Sequence, residues 1–282
     1  MPQISIQQLL QFNSSIDRLD IELLIAYIIK KTREFILSHL DFKISLLKYW
    51  QIKKLIKKRA HGIPLAYLTK HKEFFGWEFF VNKNVLIPRP ETEILVEEVL
   101  KILKKDDVLI DIGTGSGCIP ISIIKTFKHQ EIKTFAIDSS KPALTVAHRN
   151  AKHYDVKIKF LHGNLLTPFI KTYPATAESR SLRDKLVITA NLPYLTATQY
   201  QYEASIQAEP KIALVAENNG LGLYEELIQQ MSGLKNKFSA FLEIDPRQNK
   251  EIKKIIRQYL PETKVKIKPD LAGLNRVVII QN

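Results

Sequence analysis

Apolar positions between residues 5 and 60 recur at spacings of three and four, the pattern of helices that bury one face. Leu19, Leu23, Leu24, Tyr27 and Ile28 form one stripe, with Ser15 placed to cap the helix. In ISLLKYWQIKKLIKKR a second stripe runs through Leu46, Leu47, Trp50 and Leu55, its lysines on the opposite face. No β signal interrupts this stretch, and a small helical domain is expected over residues 1–72. The texture changes at His61-Gly62-Ile63-Pro64. EFFGWEFFVNKNVLI is aromatic and β-branched, with Gly76 and Asn82 or Asn84 as turn residues, so residues 73–88 read as a connecting hairpin. Pro90, Glu91 and Glu93 suit the first turn of a helix whose stripe is Ile94, Leu95, Val99, Ile102 and Leu103. From Asp107 onward short apolar runs alternate with longer segments: VLIDIG, KTFAID, KIKFLHG, KLVITAN, FSAFLEI, then TKVKIK and RVVIIQ. Such alternation predicts an α/β domain over 89–282, a mostly parallel seven-stranded sheet covered on both faces, its last two strands an antiparallel edge. TYPATAESRSLRD, residues 172–184, is polar without period and reads as a surface loop.

Composition narrows the class. The chain has 282 residues, 45% of them hydrophobic, and no apolar run approaches the roughly 18–20 residues of a bilayer span. MPQISIQQLL has neither the basic start nor the cleavage site of a signal peptide, and a cytoplasmic protein without membrane contact is expected. The single cysteine, Cys118, excludes an intramolecular disulfide, and the seven histidines show no metal-ligand spacing, so no metal is expected. Net charge is +13, of which residues 1–72 carry +8 from 13 Lys/Arg and 5 Asp/Glu. That field favours an acidic partner, whether protein or nucleic acid; a lysine-rich surface that only keeps the chain solvated is the alternative.

VLIDIGTGSG carries the first chemistry. A buried strand runs into Gly113-Thr114-Gly115-Ser116-Gly117, and Asp138 ends the next strand 23 residues after Gly115. Glycines at a strand's C-terminal end let a ligand approach the backbone, and an acid after the next strand can accept both ribose hydroxyls. G-x-G-x-G preceded by Asp111 is not the dinucleotide fingerprint, and no Gly-Lys-Ser/Thr follows as a P-loop would need. The pattern resembles the first motif of Rossmann-like class I methyltransferases that use S-adenosyl-L-methionine. The resemblance implies a cofactor set of Asp111, Gly113, Thr114, Gly115, Ser116, Gly117 and Asp138. It adds Asn164 and Leu165 for the adenine, together with Asn191.

The fourth strand ends in Asn191-Leu192-Pro193-Tyr194. An amide nitrogen is a poor nucleophile because its lone pair is delocalised. Two acceptors that take hydrogen bonds from the –NH₂ group reduce that delocalisation and stabilise the charge growing in transfer. Asn191 offers a side-chain oxygen and residue 192 its carbonyl; Pro193 stiffens the turn, and Tyr194 can pack on the planar group. The motif resembles the Asn-Pro-Pro-Tyr of amino-methylating enzymes, with Leu192 in place of a proline; leucine still supplies the carbonyl but gives up rigidity.

The flanks extend the likeness. IPRPETE at 87–93, the glycine loop, Asn-x-Pro-Tyr, Ala208-Glu209-Pro210, Asn218-Asn219-Gly220, Leu242-Glu243-Ile244 and Asp270-Leu271-Ala272-Gly273 fall in the order of the HemK/PrmC glutamine N5-methyltransferases. The resemblance covers about residues 58–282. It implies methylation of the glutamine in the Gly-Gly-Gln motif of peptide-chain release factors by a monomer, with Pro88 and Arg89 beside the substrate. Nucleic-acid binding is compatible but not required. Enzymes acting on a ribosomal protein, on DNA or RNA, or a non-enzymatic module remain alternatives at this point. Cys118 reads as a packed residue, Trp50 and Trp77 as core. Glu243 either faces the substrate or lies at a solvated strand end.

Overall fold

The computed structural model describes residues 3–11, 16–127, 132–173 and 185–282. Ser15 and most of the 172–184 segment lie outside them; Thr172 itself closes the helix Thr167–Thr172. The chain divides into two compact units, Met1–His71 and Lys72–Asn282.

The first unit is mostly helical, with helices Arg18–Ile29 and Leu46–Ala60 as its longest elements. Two expectations fail here. Strands β1 (Gln3–Ser5) and β2 (Lys43–Ser45) pair antiparallel, with Ile4 opposite Ile44. A three-residue strand is too short for a period of two to stand out against helical spacing. The buried faces also differ from the expected stripes. Ile21, Leu24, Ile25 and Ile29 turn inward from the first long helix, whereas Leu19 and Tyr27 are exposed. In the second, Ile52 and Ile56 are buried, while Leu47 is 71% and Trp50 64% exposed. Trp50 is therefore a surface residue, not core. These helices carry more apolar positions than one core can cover, and branched isoleucines fill it.

A hairpin of β3 (His71–Phe74) and β4 (Trp77–Phe80) begins at the boundary residue His71 and lies otherwise in the second unit. Its two-residue loop, Phe75-Gly76, has positive φ at both positions, as a tight type I′ hairpin requires. Trp77 is partly buried against the core beneath. After a 3₁₀ turn, Pro90–Thr92, the helix Glu93–Leu100 leads into the main sheet. Its strands are β5 (Val108–Ile112), β6 (Lys133–Asp138), β7 (Lys159–His162), β8 (Leu186–Ala190), β9 (Phe238–Glu243), β10 (Lys264–Pro269) and β11 (Asn275–Gln281). They lie in the order β10-β11-β9-β8-β5-β6-β7, with β11 antiparallel to both neighbours and the rest parallel. The alternation in β5 explains its double coverage. Val108, Ile110 and Ile112 enter one core cluster and Leu109 the other, so every residue of the strand is buried. From β5 the chain first builds outward through β6 and β7, then returns to lay β8 and β9 on the other side. The C-terminal ends of β5 and β8 therefore flank the switch point, where open parallel sheets bind ligands. Among the described residues no helix is long and apolar enough to cross a membrane.

Candidate active site

A cavity of about 510 Å³ opens at that switch point. Its lining includes Gly113, Thr114, Gly115, Ser116, Asp138, Asn164, Leu165, Asn191, Leu192 and Pro193, together with Pro88 and Arg89. Asp111, Gly117 and Tyr194 are not part of that lining.

The glycine loop folds as it does because three of its residues take positive φ: Gly113 (70°), Gly115 (55°) and Gly117 (79°). At Gly113 a Cβ would also press on Leu192 Cδ2 at 3.0 Å, so the loop needs its glycine to lie beside the Asn191–Tyr194 turn. Gly115 faces open space, with nothing nearer to an added Cβ than the Gly113 carbonyl at 3.9 Å. Beneath the loop, Asp138 Oδ2 accepts the Gly115 N–H at 2.9 Å and Oδ1 the Ser140 N–H at 2.8 Å. Burial raises the Asp138 pKa; the two backbone N–H groups oppose the shift. Each oxygen keeps a further lone pair with which to accept, and Asp138 lines the cavity.

Asp111 lies deeper, at 0% exposure within β5. Its Oδ1 accepts the Thr189 hydroxyl at 2.6 Å, while Oδ2 has no partner. Burial pushes its pKa up to about 7 against the pull of the Thr189 hydroxyl. Cys118 is buried as expected, its thiol pushed up to about 12 by desolvation. That excludes a thiolate nucleophile near neutral pH. At the far wall Asn164 donates from Nδ2 to Glu226 Oε1 at 2.5 Å, which leaves its own oxygen as an acceptor. Leu165, at 5% exposure and φ 47°, forms the apolar floor there.

The turn after β8 is held at three places. Asn191 donates from Nδ2 to Thr92 Oγ1 at 3.0 Å. Leu192 donates its N–H to the Tyr224 hydroxyl at 3.1 Å, a bond that a proline could not make. That hydroxyl in turn contacts the carbonyls of Leu192, at 3.2 Å, and of Glu243. Tyr194 packs against the sheet's core cluster, and its carbonyl accepts Gln248 Nε2 at 3.1 Å. Burial raises the Tyr194 phenol pKa, with Glu243 adding to the effect, so the ring carries a neutral hydroxyl.

The mouth is built from the 87–93 segment. Ile87 donates its N–H to Glu209 Oε2 at 2.9 Å, and Arg89 forms an ion pair with the same buried carboxylate. Glu243 is 1% exposed, with its pKa pushed by burial up to about 7, and this overturns the solvated reading of that strand end.

Several of these residues carried no mark of their own in the sequence. Thr92 sits inside IPRPETE but is not a charged or proline position. Tyr224 is one aromatic residue in an ordinary amphipathic helix. Glu226 reads as a solvated helix face.

Comparison with known proteins adds an independent line. Residues 4–69 match the family described as PrmC N-terminal domain, and residues 90–174 the methyltransferase small domain. A Bacillus anthracis protein named release factor glutamine methyltransferase is 31% identical over 269 residues, covering 92% of this chain and 91% of its own. One of the same name from Enterococcus faecalis is 35% identical, covering 87% and 85% respectively. Among solved structures, the N-terminal domain of human METTL16 in complex with SAH superposes with a TM-score of 0.51 at 17% identity, over 91% of this chain and 93% of that one. The architecture is the Rossmann-like class I methyltransferase fold expected from the sequence.

Proposed function

Because the chain belongs to the release factor glutamine methyltransferase family, we propose that it methylates the side-chain amide nitrogen of the Gly-Gly-Gln glutamine in peptide-chain release factors, using S-adenosyl-L-methionine. The observation that carries the proposal is the orientation of Asn191. Its nitrogen is engaged by Thr92, so its oxygen is left toward the cavity as an acceptor. Readings as a ribosomal-protein or nucleic-acid methyltransferase are not favoured, since the relatives are named for release factors. A translation factor as substrate supports a cytoplasmic location.

The residues present fit the cofactor. Gly115 leaves open a space that a side chain would fill, Asp138 supplies acceptors for two hydroxyls, and Asn164 keeps an acceptor for an amine. Bound, S-adenosyl-L-methionine supplies a methyl group activated by a sulfonium. The chain's own part is to prepare the nucleophile. Asn191 Oδ1 and the Leu192 carbonyl each accept one N–H of the glutamine –NH₂, drawing its nitrogen toward tetrahedral geometry. The Tyr224 phenol has one proton to share between two carbonyls, and a carbonyl has two lone pairs, so the Leu192 oxygen keeps one for substrate. Fixed acceptors of this kind stabilise the charge as it develops, with no reorganisation at the moment of transfer. Pro193 and Leu192 wall the site, and Arg89, held by Glu209, borders its mouth.

The test supplies purified protein with radiolabelled S-adenosyl-L-methionine and, in parallel, release factors, ribosomal proteins and DNA. Label is expected in the release factor and absent when the Gly-Gly-Gln glutamine is changed to alanine. Label only in nucleic acid or only in a ribosomal protein overturns the proposal.

A further inference from the structure

Glu226 borders the cavity but has no part in preparing the amide nucleophile. It lies on the helix Gly222–Ser232, which buries Tyr224, Leu227, Ile228 and Met231 in the sheet's core cluster and lines the cavity with Gly222, Leu223 and Glu226. A single oxygen, Glu226 Oε1, accepts from two side chains: Asn164 Nδ2 at 2.5 Å and, one helical turn on, Gln230 Nε2 at 3.1 Å. Gln230 Oε1 in turn accepts the Leu166 N–H at 2.8 Å.

The inventory of protons gives these bonds one direction. A carboxylate only accepts and a backbone N–H only donates, so the Gln230 amide fits between them in one orientation, its –NH₂ on Glu226. The same rule sets Asn164. Its –NH₂ end must meet the carboxylate, and its oxygen is the end left for a ligand. Turned end for end, Asn164 would bring two acceptors together with no proton between them.

The two attachments straddle a strained residue. Leu165, the cavity floor, has φ 47°, a left-handed conformation that is costly for a residue with a Cβ. Asn164 before it is tied to Glu226, and Leu166 after it to Gln230. Such strain persists where the surroundings fix it, and it clusters at ligand clamps.

We propose that Glu226 is a positioning residue that sets the base specificity of the cofactor site. It holds the Asn164 oxygen outward, so that the site takes a purine with a 6-amino group and refuses its 6-oxo counterpart. The inference rests on the reading of Asn164 as acceptor for the adenine amine and is independent of which molecule receives the methyl group. An acceptor bonds to an amine but meets only lone pairs on an oxo group, and a site built for one rejects the other because its own polar group is left unpaired. An asparagine free to turn can offer either end, so Asn164 discriminates only while Glu226 holds it.

Calorimetry on the full-length protein reads this without a transfer step, using S-adenosyl-L-homocysteine and its 6-oxo counterpart, S-inosyl-L-homocysteine. The wild type should prefer the adenosyl form by about tenfold or more. Glu226→Ala should collapse that preference, in part by binding the inosyl form more tightly than the wild type does, a gain that mere structural damage cannot produce. Asn164→Ala should weaken the adenosyl form and lose the preference as well. Asn164→Asp sets a second carboxylate against Glu226 and should weaken the adenosyl form by about tenfold or more, and adding Glu226→Gln should restore it. A wild type that binds both forms alike, or neither, overturns the proposal. So does a Glu226→Ala variant that keeps the preference or loses affinity for both forms equally, or an Asn164→Asp variant that binds as the wild type does. Preference retained in Asn164→Ala also overturns it, because Glu226 would then accept the amine directly. Absence of release-factor labelling would defeat the proposed methyl acceptor alone, and the calorimetry would still decide the role of Glu226.

Discussion

Gly220→Ala probes how tightly the Asn191–Tyr194 turn is held from behind. Gly220 has φ 82°, and a Cβ built on it would stand 2.0 Å from the Tyr194 carbonyl oxygen and 2.6 Å from Gln248 Nε2. Both atoms belong to one contact, because Gln248 Nε2 donates at 3.1 Å to the carbonyls of Tyr194 and Asn219. Alanine at this φ costs about 1–2 kcal/mol of backbone strain. Forcing a methyl into filled space adds about 1–3 kcal/mol, and losing the Gln248 bonds about 1 kcal/mol each. The total, about 4–7 kcal/mol, corresponds to a fall of roughly 10–25 °C in Tm for a unit of this size. The Tyr194 carbonyl must retreat by more than about 1 Å to restore ordinary contact, carrying Asn191 and Leu192 with it, and such a misplacement costs about a hundredfold in rate. Gly273→Ala is the matched control: its φ is 80°, but nothing lies within 4 Å of its added Cβ. It should show only the backbone strain, about 1–2 kcal/mol, with normal turnover. Thermal unfolding and release-factor methylation of both variants decide the matter. Equal losses in the two variants, or full activity in Gly220→Ala, would refute the reasoning.

Other expectations follow from the same geometry. Asp138→Ala should weaken S-adenosyl-L-methionine binding in calorimetry by about tenfold or more, and unchanged affinity would dismiss the ribose role. Tyr224→Phe removes the acceptor of the Leu192 N–H and should lower kcat by about tenfold while leaving cofactor affinity intact. A variant with wild-type kcat would show that the clasp is idle. For Asp111 the sign runs against the usual carboxylate. Its folded pKa is raised from 3.8 to about 7, so the folded state holds the proton longer, and the group's contribution to stability is lost as pH rises through that window. Asp111→Asn should therefore gain stability relative to wild type on going from pH 4 to pH 8, by about 2–4 kcal/mol. A parallel pH dependence in the two proteins by denaturant unfolding would contradict the buried-acid assignment.

The sheet was readable because its strands are short apolar runs that end in glycine, asparagine or an acid. VLIDIG and KLVITAN carry both the fold signal and the site signal in the same residues. The helical unit was less readable because periodicity gives a stripe but not which stripe is chosen. Leu46, Leu47 and Trp50 form a plausible face, yet Ile52 and Ile56 are what the core takes. The ribbon of β1 and β2 rests on pairing across about forty residues, which no local pattern announces. Glu243 was ambiguous for a similar reason. A strand end is solvated or buried according to which distant loops cover it.

Leu192 shows how a motif tolerates a departure that looks costly by sequence. A second proline would restrict the turn by its ring; leucine leaves φ free but adds an N–H. That N–H finds the Tyr224 hydroxyl, so the restriction lost from the covalent backbone returns as a hydrogen bond from a helix otherwise remote in sequence. The turn is then fixed by three independent elements: Thr92 holds Asn191, Tyr224 holds Leu192, and Gln248 with Gly220 holds Tyr194. Each restrains a different residue, so the position of the two acceptors is over-determined. Rigidity at residue 192 is a property of that surrounding cage, and the proposed chemistry asks of the residue itself only its carbonyl.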